Sequence, residues 1–193
     1  MENFDALDVI ARTRGKVEMD DVPTGNALFL LWGWLTAALV LASFLLWLWL
    51  RQEWCLWVWL AAPLVGVPWM MHIVRKDHDR SHKRTRDARM VLDCWIFVGG
   101  ACCAGGFLTG FSGLDRVCLL PLVGLLIGIG CFVTGEVLRF RPKIVGGVVG
   151  AGIALVSVLF QGDAWIWQYP ALSLVAVVSL ILPGYLYNRQ IAN

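Results

Sequence analysis

The 193-residue chain has too much apolar sequence and too little charge for a soluble domain. It is 59% hydrophobic and 16% charged, whereas soluble domains are about 45–50% apolar and about 25% charged. The charge is confined to short stretches, and the segments between them are long enough to cross the roughly 30 Å hydrocarbon core of a bilayer as helices. Composition therefore excludes a large soluble domain and predicts a polytopic membrane protein.

Residues 1–26 form a polar N-terminal segment before the first apolar run. Apolar residues recur at helical spacing within residues 2–14, which predicts a short amphipathic helix at the membrane surface. A frayed polar tail is the alternative. The segment opens with acidic rather than basic residues, and no small-residue cleavage site follows the apolar run, so no signal peptide is predicted.

Six apolar segments follow, and each predicts a transmembrane helix. We place these spans at about residues 27–50, 54–74, 90–112, 117–138, 144–161 and 164–187, within a transmembrane domain over residues 27–187. Short turns separate spans 1 and 2, 3 and 4, 4 and 5, and 5 and 6, so these pairs are predicted to be antiparallel neighbours. The predicted fold class is all-α, a bundle of six transmembrane helices.

Basic residues lie almost entirely on one side of this six-span arrangement. With both termini on that side, it receives three Lys or Arg from the N-terminal segment, seven from the 75–89 loop, three from the 139–143 turn and one from the C-terminal tail, against two on the other side. Short cytoplasmic loops are enriched in Lys and Arg. The distribution predicts that both termini are cytoplasmic (N-in, C-in), and tryptophans near both ends of the spans agree with an interfacial belt.

The stretch GNALFLLWGW at residues 25–34 resembles a group of small six-span proteins of bacterial inner membranes. The resemblance extends to the basic loop, to Arg139–Pro142 and to the PGYL stretch at Pro183–Leu186. It implies a six-span inner-membrane protein. Because the group is uncharacterised, the resemblance implies no activity and no catalytic residue.

The second span contains Pro63, Gly66 and Pro68, which predict a helix break. Each proline removes a backbone donor and crowds the preceding turn. In transporters such breaks offer free backbone groups to a substrate at mid-membrane, whereas the alternative is a kink repaired by neighbouring helices. No charged residue or histidine lies in the middle third of any span, which disfavours a proton- or sodium-coupled pump.

Cys and Tyr apart, His72, Asp93 and Glu136 are the ionisable residues inside the predicted spans. All three lie near the predicted cytoplasmic boundary, so a shared polar pocket is the candidate binding site. Local pairing is the alternative, because Arg89 precedes Asp93 by four residues and Arg139 follows Glu136 by three.

The 75–89 loop is predicted to contact anionic lipid head groups, at about 1 kcal/mol per basic residue near the surface. The residues that would do so are Arg75, Lys76, Arg80, Lys83, Arg84, Arg86 and Arg89. His78 and His82 would lie one turn apart on a helix, as a metal pair requires. The surrounding cations disfavour a metal ion, and no metal site and no cofactor are predicted.

Six cysteines lie in or beside the spans without CxxC spacing, which disfavours a zinc or redox motif. Packing as small apolar residues is the default interpretation. Cys55 and Cys118 both lie at predicted outer ends, where a disulfide in an oxidising compartment would join spans 2 and 4.

Small residues run through spans 3, 4 and 5, where they allow close helix approach. Span 3 has eight consecutive small residues from Gly99 to Gly106, and spans 4 and 5 each contain a GxxxG pair. These faces fit either packing within one chain or a homo-oligomer interface.

The sequence contains none of the common hydrolase, metalloprotease or nucleotide-binding motifs. It favours a non-enzymatic accessory or regulatory membrane subunit that contacts its partner through the basic loop and the N-terminal segment. The alternatives are a small uncoupled transporter or channel built around Pro63–Pro68, and an intramembrane lipid-modifying enzyme. Nucleic acid is not predicted as a partner.

Overall fold

A computed structural model describes residues 23–51, 61–78, 86–112 and 119–192. Every regular element in these ranges is helical: α1 (Pro23–Leu50), α2 (Ala61–His78), α3 (Arg86–Ser112), α4 (Leu119–Val137), α5 (Arg141–Ser157) and a short 3-10 helix (Gly162–Trp167). The C-terminal helix follows, and it consists of α6 (Gln168–Ala176), a π-helical turn (Val177–Ile181) and α7 (Leu182–Ala192). The predicted all-α fold class is confirmed for the described residues.

Three of the helical stretches are long and apolar enough to cross a membrane, which indicates a membrane-associated protein. They are Asn26–Leu50, Leu119–Val137 and Ala164–Arg189, and they coincide with predicted spans 1, 4 and 6. Helices α2, α3 and α5 lie where spans 2, 3 and 5 were predicted. Within α2 the apolar segment is shorter and covers Leu64–Ile73.

Helices that follow one another in the chain pack side by side, as the short turns predict. The contacts join α1 to α2, α3 to α4, α4 to α5, and α5 to the C-terminal helix. The tertiary structure adds contacts between elements far apart in sequence, because α1 and α4 also pack against the C-terminal helix. The core lies where α1, α4, α5 and the C-terminal helix meet. Its buried residues include Phe29, Val40, Leu120, Ile127, Cys131, Ala154, Leu172, Val175 and Leu180.

Helices α4 and α5 approach so closely that their backbones are in contact. A Cβ atom on Gly128 would lie 2.7 Å from the backbone nitrogen of Ala151, and one on Gly147 would lie 2.5 Å from the backbone nitrogen of Phe132. On the other side of α5, a Cβ on Gly146 would lie 2.6 Å from a carbonyl oxygen of the C-terminal helix. The small-residue faces of spans 4 and 5 therefore pack within the chain, as such faces do in membrane bundles.

The turn between α4 and α5 is fixed by backbone hydrogen bonds. Arg139 has a φ of +52°, its N–H donates to the carbonyl of Glu136 at 3.1 Å, and the N–H of Phe140 donates to the carbonyl of Gly135 at 2.8 Å. This is the Schellman arrangement, in which glycine is usual at the left-handed position. Phe140 then precedes α5, and Pro142 occupies its first turn, where a missing N–H costs nothing.

The C-terminal helix widens into its π-helical turn shortly before Pro183. Proline has no N–H to continue the α-helical ladder, and single π turns are a common adjustment inside α-helices. The turn is held from outside, because the Ser179 hydroxyl donates to the carbonyl of Gly146 in α5 at 2.9 Å. A hydrogen bond between helices thus stabilises the irregular segment.

Helices α2 and α3 extend into residues 75–89, and the assignment of this segment as a basic cytoplasmic loop stays a prediction. Helix α2 continues to His78 and α3 begins at Arg86. The ends of the loop are helical because a helix satisfies its own backbone hydrogen bonds in any solvent, while Lys and Arg side chains reach water from inside its last turns. The helix predicted at residues 2–14 and the Cys55–Cys118 disulfide lie outside the described residues.

Candidate functional site

Lys143 is a buried cation, with only 5% of the residue exposed. It is the third residue of α5, and its Nζ lies 2.9 Å from the centroid of the Phe29 ring near the start of α1. An ammonium over an aromatic ring is attracted to the negative face of the π system. Ionisable groups buried in membrane bundles are costly and typically functional, so we take Lys143 as the centre of the candidate site.

Burial disfavours the charged form of Lys143. The residue precedes predicted span 5, and desolvation lowers the pKa of its ammonium from an ordinary value near 10.5 to about 7. The contact with Phe29 favours the charged form and opposes this shift. An anion beside the ammonium would favour the charged form in the same way.

Lys143 lines a narrow cleft at the end of the bundle where α1 and α5 begin and α4 ends. The cleft has about 10 Å³ of room for water-sized groups, which corresponds to about one water molecule. Its lining residues are Asn26, Phe29, Leu138, Phe140, Lys143, Pro183 and Tyr187. They include no aspartate or glutamate, so no carboxylate neutralises the ammonium from the wall of the cleft.

Contacts between three helices hold the walls of this cleft in place. The Asn26 side chain of α1 donates from Nδ2 to the Gly184 carbonyl at 3.0 Å and to Oδ1 of Asn188 at 2.6 Å, both in α7. On the α5 side, Phe140 packs edge-on against Tyr187 with ring centroids 5.3 Å apart. Because backbone and side-chain contacts both fix the walls, the cleft is part of the folded bundle.

A second network lies behind Phe29 and joins α3 to the bundle. The Trp95 ring packs edge-on against Phe29 at 5.1 Å, and its indole N–H donates to Oγ1 of Thr134 at 2.9 Å. The Thr134 hydroxyl in turn donates to the carbonyl of Gly130 at 2.7 Å. The indole of Trp95, predicted as part of the interfacial belt, therefore makes its hydrogen bond inside the bundle.

The three residues of the predicted polar pocket do not line the Lys143 cleft. His72, Asp93 and Glu136 are exposed side chains on α2, α3 and α4. Equal depth along three helices does not determine the direction in which their side chains point, and that direction decides whether a pocket forms. The shared pocket and the local pairing with arginine both stay predictions.

Helix α2 is continuous through Gly66 and Pro68, and Pro63 lies in its first described turn. The neighbouring helix covers this segment, since a Cβ on Gly66 would lie 2.8 Å from a ring carbon of Trp32 in α1. Packing against a neighbour is how membrane helices tolerate proline. The helix break, the transporter alternative based on it and a binding role for these residues all stay predictions.

The predicted lipid-contact residues lie at the ends of α2 and α3 and in the segment between them. The side chains of Arg75 and Arg89 are described, and both are exposed. The remaining members of the set have no described side chain: Lys76, Arg80, Lys83, Arg84 and Arg86. Contact between this loop and anionic lipids stays a prediction.

One side of α3 is uncovered by the rest of the described chain. A Cβ atom on Gly99 or Gly100 would meet no atom within 4 Å, Cys103 and Ala104 are exposed, and Phe97 is 71% exposed. We call these five residues the α3 surface. They follow one another at helical spacing, so they form a continuous stripe of small residues beside one aromatic ring.

Sequence reasoning missed Lys143 because it counted this lysine as a cation of the 139–143 turn. In the structure Lys143 lies inside α5 and opens the helix's buried stripe: Lys143, Gly146, Gly147, Gly150, Ala154 and Ser157. The spacing of three and four residues from Lys143 to the first glycines places them on one helix face, and this signal was readable from the sequence. The approach of Phe29, from the other end of the chain, was not.

No protein-family model, no curated protein and no solved structure matches the chain. The resemblance to six-span inner-membrane proteins therefore stays a prediction. The argument for function depends on the residues described above.

Proposed function

We propose that the chain is a six-span protein of a bacterial inner membrane, with both termini in the cytoplasm, that serves as a non-enzymatic accessory or regulatory subunit. The observation that carries the proposal is the uncovered α3 surface. A subunit of this kind needs a helix face that a partner helix can cover, and α3 offers one without rearrangement of the bundle.

Charge and aromatic distribution support the proposed orientation. Among the described side chains, the exposed Arg139, Arg141 and Arg189 lie at the end of the bundle assigned to the cytoplasm. Aromatic rings gather at the opposite end, where Trp47 of α1 packs edge-on against Trp165 at 5.4 Å. Basic residues on the cytoplasmic side and tryptophans at the interfaces are typical of inner-membrane proteins.

Glycines on the α3 surface are better suited to contact with another helix than to contact with lipid. Glycine lowers helix stability by about 1 kcal/mol relative to alanine, and Gly99 and Gly100 gain no contact with other described residues in return. Lipid tails are as apolar as leucine, so helices in membranes associate through close van der Waals contact, which small residues permit. A transmembrane helix of another polypeptide is therefore the proposed occupant of the α3 surface.

The experiment compares two glycines that both have open space for a side chain. The full chain is purified from its native membrane in mild detergent as wild type, Gly100→Leu and Gly152→Leu, and native mass spectrometry gives the subunit ratio. Gly152 in α5 is the control, because a Cβ there also meets nothing within 4 Å. Wild type and Gly152→Leu should retain a second polypeptide in a fixed ratio, and Gly100→Leu should lose it.

Three outcomes would overturn the accessory role. One is purification of the wild type without a stoichiometric polypeptide, and another is a complex that Gly100→Leu leaves intact. The third is a complex built only from copies of this 21.5 kDa chain, which would replace the accessory role with self-association.

A further inference from the structure

The cleft around Lys143 concentrates positive potential from independent sources. The ammonium is buried against Phe29, and α1 and α5 both begin at the cleft, where a helix carries a partial positive charge. Among the described residues, no carboxylate lines the cleft. From this geometry we infer that the Lys143 cleft is a binding site for one anionic oxygen of a phosphate group, an inference that does not depend on the α3 surface.

The end of α4 offsets this potential only in part. A helix C-terminus carries a partial negative charge on its free carbonyl groups. Here the last carbonyls of α4 are already occupied, since those of Thr134, Gly135 and Glu136 accept the backbone N–H groups of the turn at 2.8 to 3.1 Å. The ammonium therefore retains a requirement for an anion.

The size of the cleft determines how much of a ligand can enter. Room for about one water molecule admits a single oxygen atom and leaves the rest of a phosphate group at the mouth. The cleft is open at one side and lies at the end of the bundle, which the proposed topology assigns to the cytoplasmic boundary of the membrane. The same chemistry would accept a lipid head group or a soluble phosphate, and the experiment separates the two sources.

The first measurement uses the full chain in lipid nanodiscs as wild type, Lys143→Met and Arg141→Met. Methionine keeps the length of Lys143 without the buried charge, and such replacements in interiors are often neutral or stabilising. Arg141, exposed two residues earlier, controls for the loss of one surface charge. Discs that contain phosphatidylglycerol test the lipid source, and inorganic phosphate added to the same chains in maltoside detergent, which carries no phosphate group, tests the soluble source.

We expect Lys143→Met to bind the phosphate group at least about fivefold more weakly than wild type, with Arg141→Met close to wild type. Retention of phosphatidylglycerol in native mass spectrometry identifies a lipid head group. A thermal shift produced by inorganic phosphate identifies a soluble ligand. The inference is overturned if neither probe binds, or if the two variants lose affinity equally.

A second measurement does not depend on the folding of a variant. In the wild type with 15N-labelled lysine, NMR follows the Nζ resonances of Lys143 and Lys76 while phosphatidylglycerol or inorganic phosphate is added. The bound phosphate group should shift the Lys143 resonance beyond any shift at Lys76. Equal shifts of the two lysines would show surface charge alone and would contradict a site in the cleft.

Discussion

Small residues bring α4 and α5 into backbone contact, whereas the small residues of the α3 surface are left uncovered by the rest of the described chain. A Cβ on Gly147 would lie 2.5 Å from a backbone nitrogen of α4, while one on Gly99 or Gly100 would have open space. The two regions share a sequence pattern and differ in environment. A run of small residues therefore predicts that a helix can be approached closely, and it does not predict by which helix.

The difference arises from which face each helix presents to its neighbour. Helix α5 follows α4 through a three-residue turn and presents its glycines to it. Helix α3 presents large side chains to α4, because Trp95 donates to Thr134 and a Cβ on Gly130 would lie 3.2 Å from a methyl carbon of Val98. The glycine beside Val98 is thus on α4, and the α3 surface faces away from it. Further along α3, a Cβ on Gly105 would lie 3.4 Å from a methyl carbon of Leu119 in α4.

The largest effect is expected for Gly147→Ala, which removes the basis of the α4–α5 contact. The added methyl group meets backbone, which cannot move aside as a side chain can, and overpacking of this kind should lower the free energy of unfolding by about 3 kcal/mol. Gly99→Ala is the matched control and should raise stability, by up to about 1 kcal/mol, because alanine favours the helix more than glycine does. Unfolding of the purified chain in detergent, followed by circular dichroism, gives both values, and similar losses would contradict the contrast.

A smaller effect is expected for Trp95→Phe, which tests how α3 is attached. The variant keeps an aromatic ring beside Phe29 but removes the indole N–H that Thr134 accepts, at a cost of about 1 kcal/mol. Hydrogen exchange should increase mainly in α3. Trp34→Phe is the control, since Trp34 is 54% exposed, and an equal increase in exchange in that variant would show that the hydrogen bond does not hold α3.

Ser179→Ala tests the contact between α5 and the π-helical turn. Loss of the hydrogen bond from Ser179 to the Gly146 carbonyl should lower the free energy of unfolding by about 0.6 kcal/mol, the mean for such bonds between membrane helices. Ser157→Ala should cost less, because the Ser157 hydroxyl donates within its own helix, to the Ala154 carbonyl. If Ser157→Ala lowered the free energy of unfolding more than Ser179→Ala in the same assay, the hydrogen bond between the helices would not be the more stabilising of the two.

The smallest effect is expected for Arg139→Gly in the turn that sets the distance between α4 and α5. A residue with a side chain pays about 1–2 kcal/mol in the left-handed region, and the greater freedom of glycine in the unfolded chain offsets about 0.4–1 kcal/mol of that. Stability should therefore rise by about 0.5 kcal/mol. Arg141→Gly, inside α5, should lower stability, and a decrease in both variants would contradict the proposed strain at Arg139.

The sequence by itself determined that the described chain is helical, where its helices lie and which consecutive helices are neighbours. Long apolar runs specify helices because a backbone in hydrocarbon must satisfy its own hydrogen bonds, and short turns leave consecutive helices no choice but to pack together. The ends of the helices were harder to predict from the sequence. The charged residues at 75–78 and 86–89, which are predicted to mark the membrane boundary, do not end helices α2 and α3. Predicting that helix α2 continues through Pro68 would also have required knowledge of the neighbouring helix.

Only the tertiary structure decided which face of each helix is covered. In a soluble protein the buried face differs in polarity from the exposed one and can be read from the sequence, but lipid is as apolar as a protein core and removes that difference. Lys143 is buried because Phe29 and the C-terminal helix close over it, and Gly99 and Gly100 of α3 are open because Trp95 and Val98 face α4 instead. Both outcomes depend on contacts between residues far apart in the chain, which no local pattern specifies.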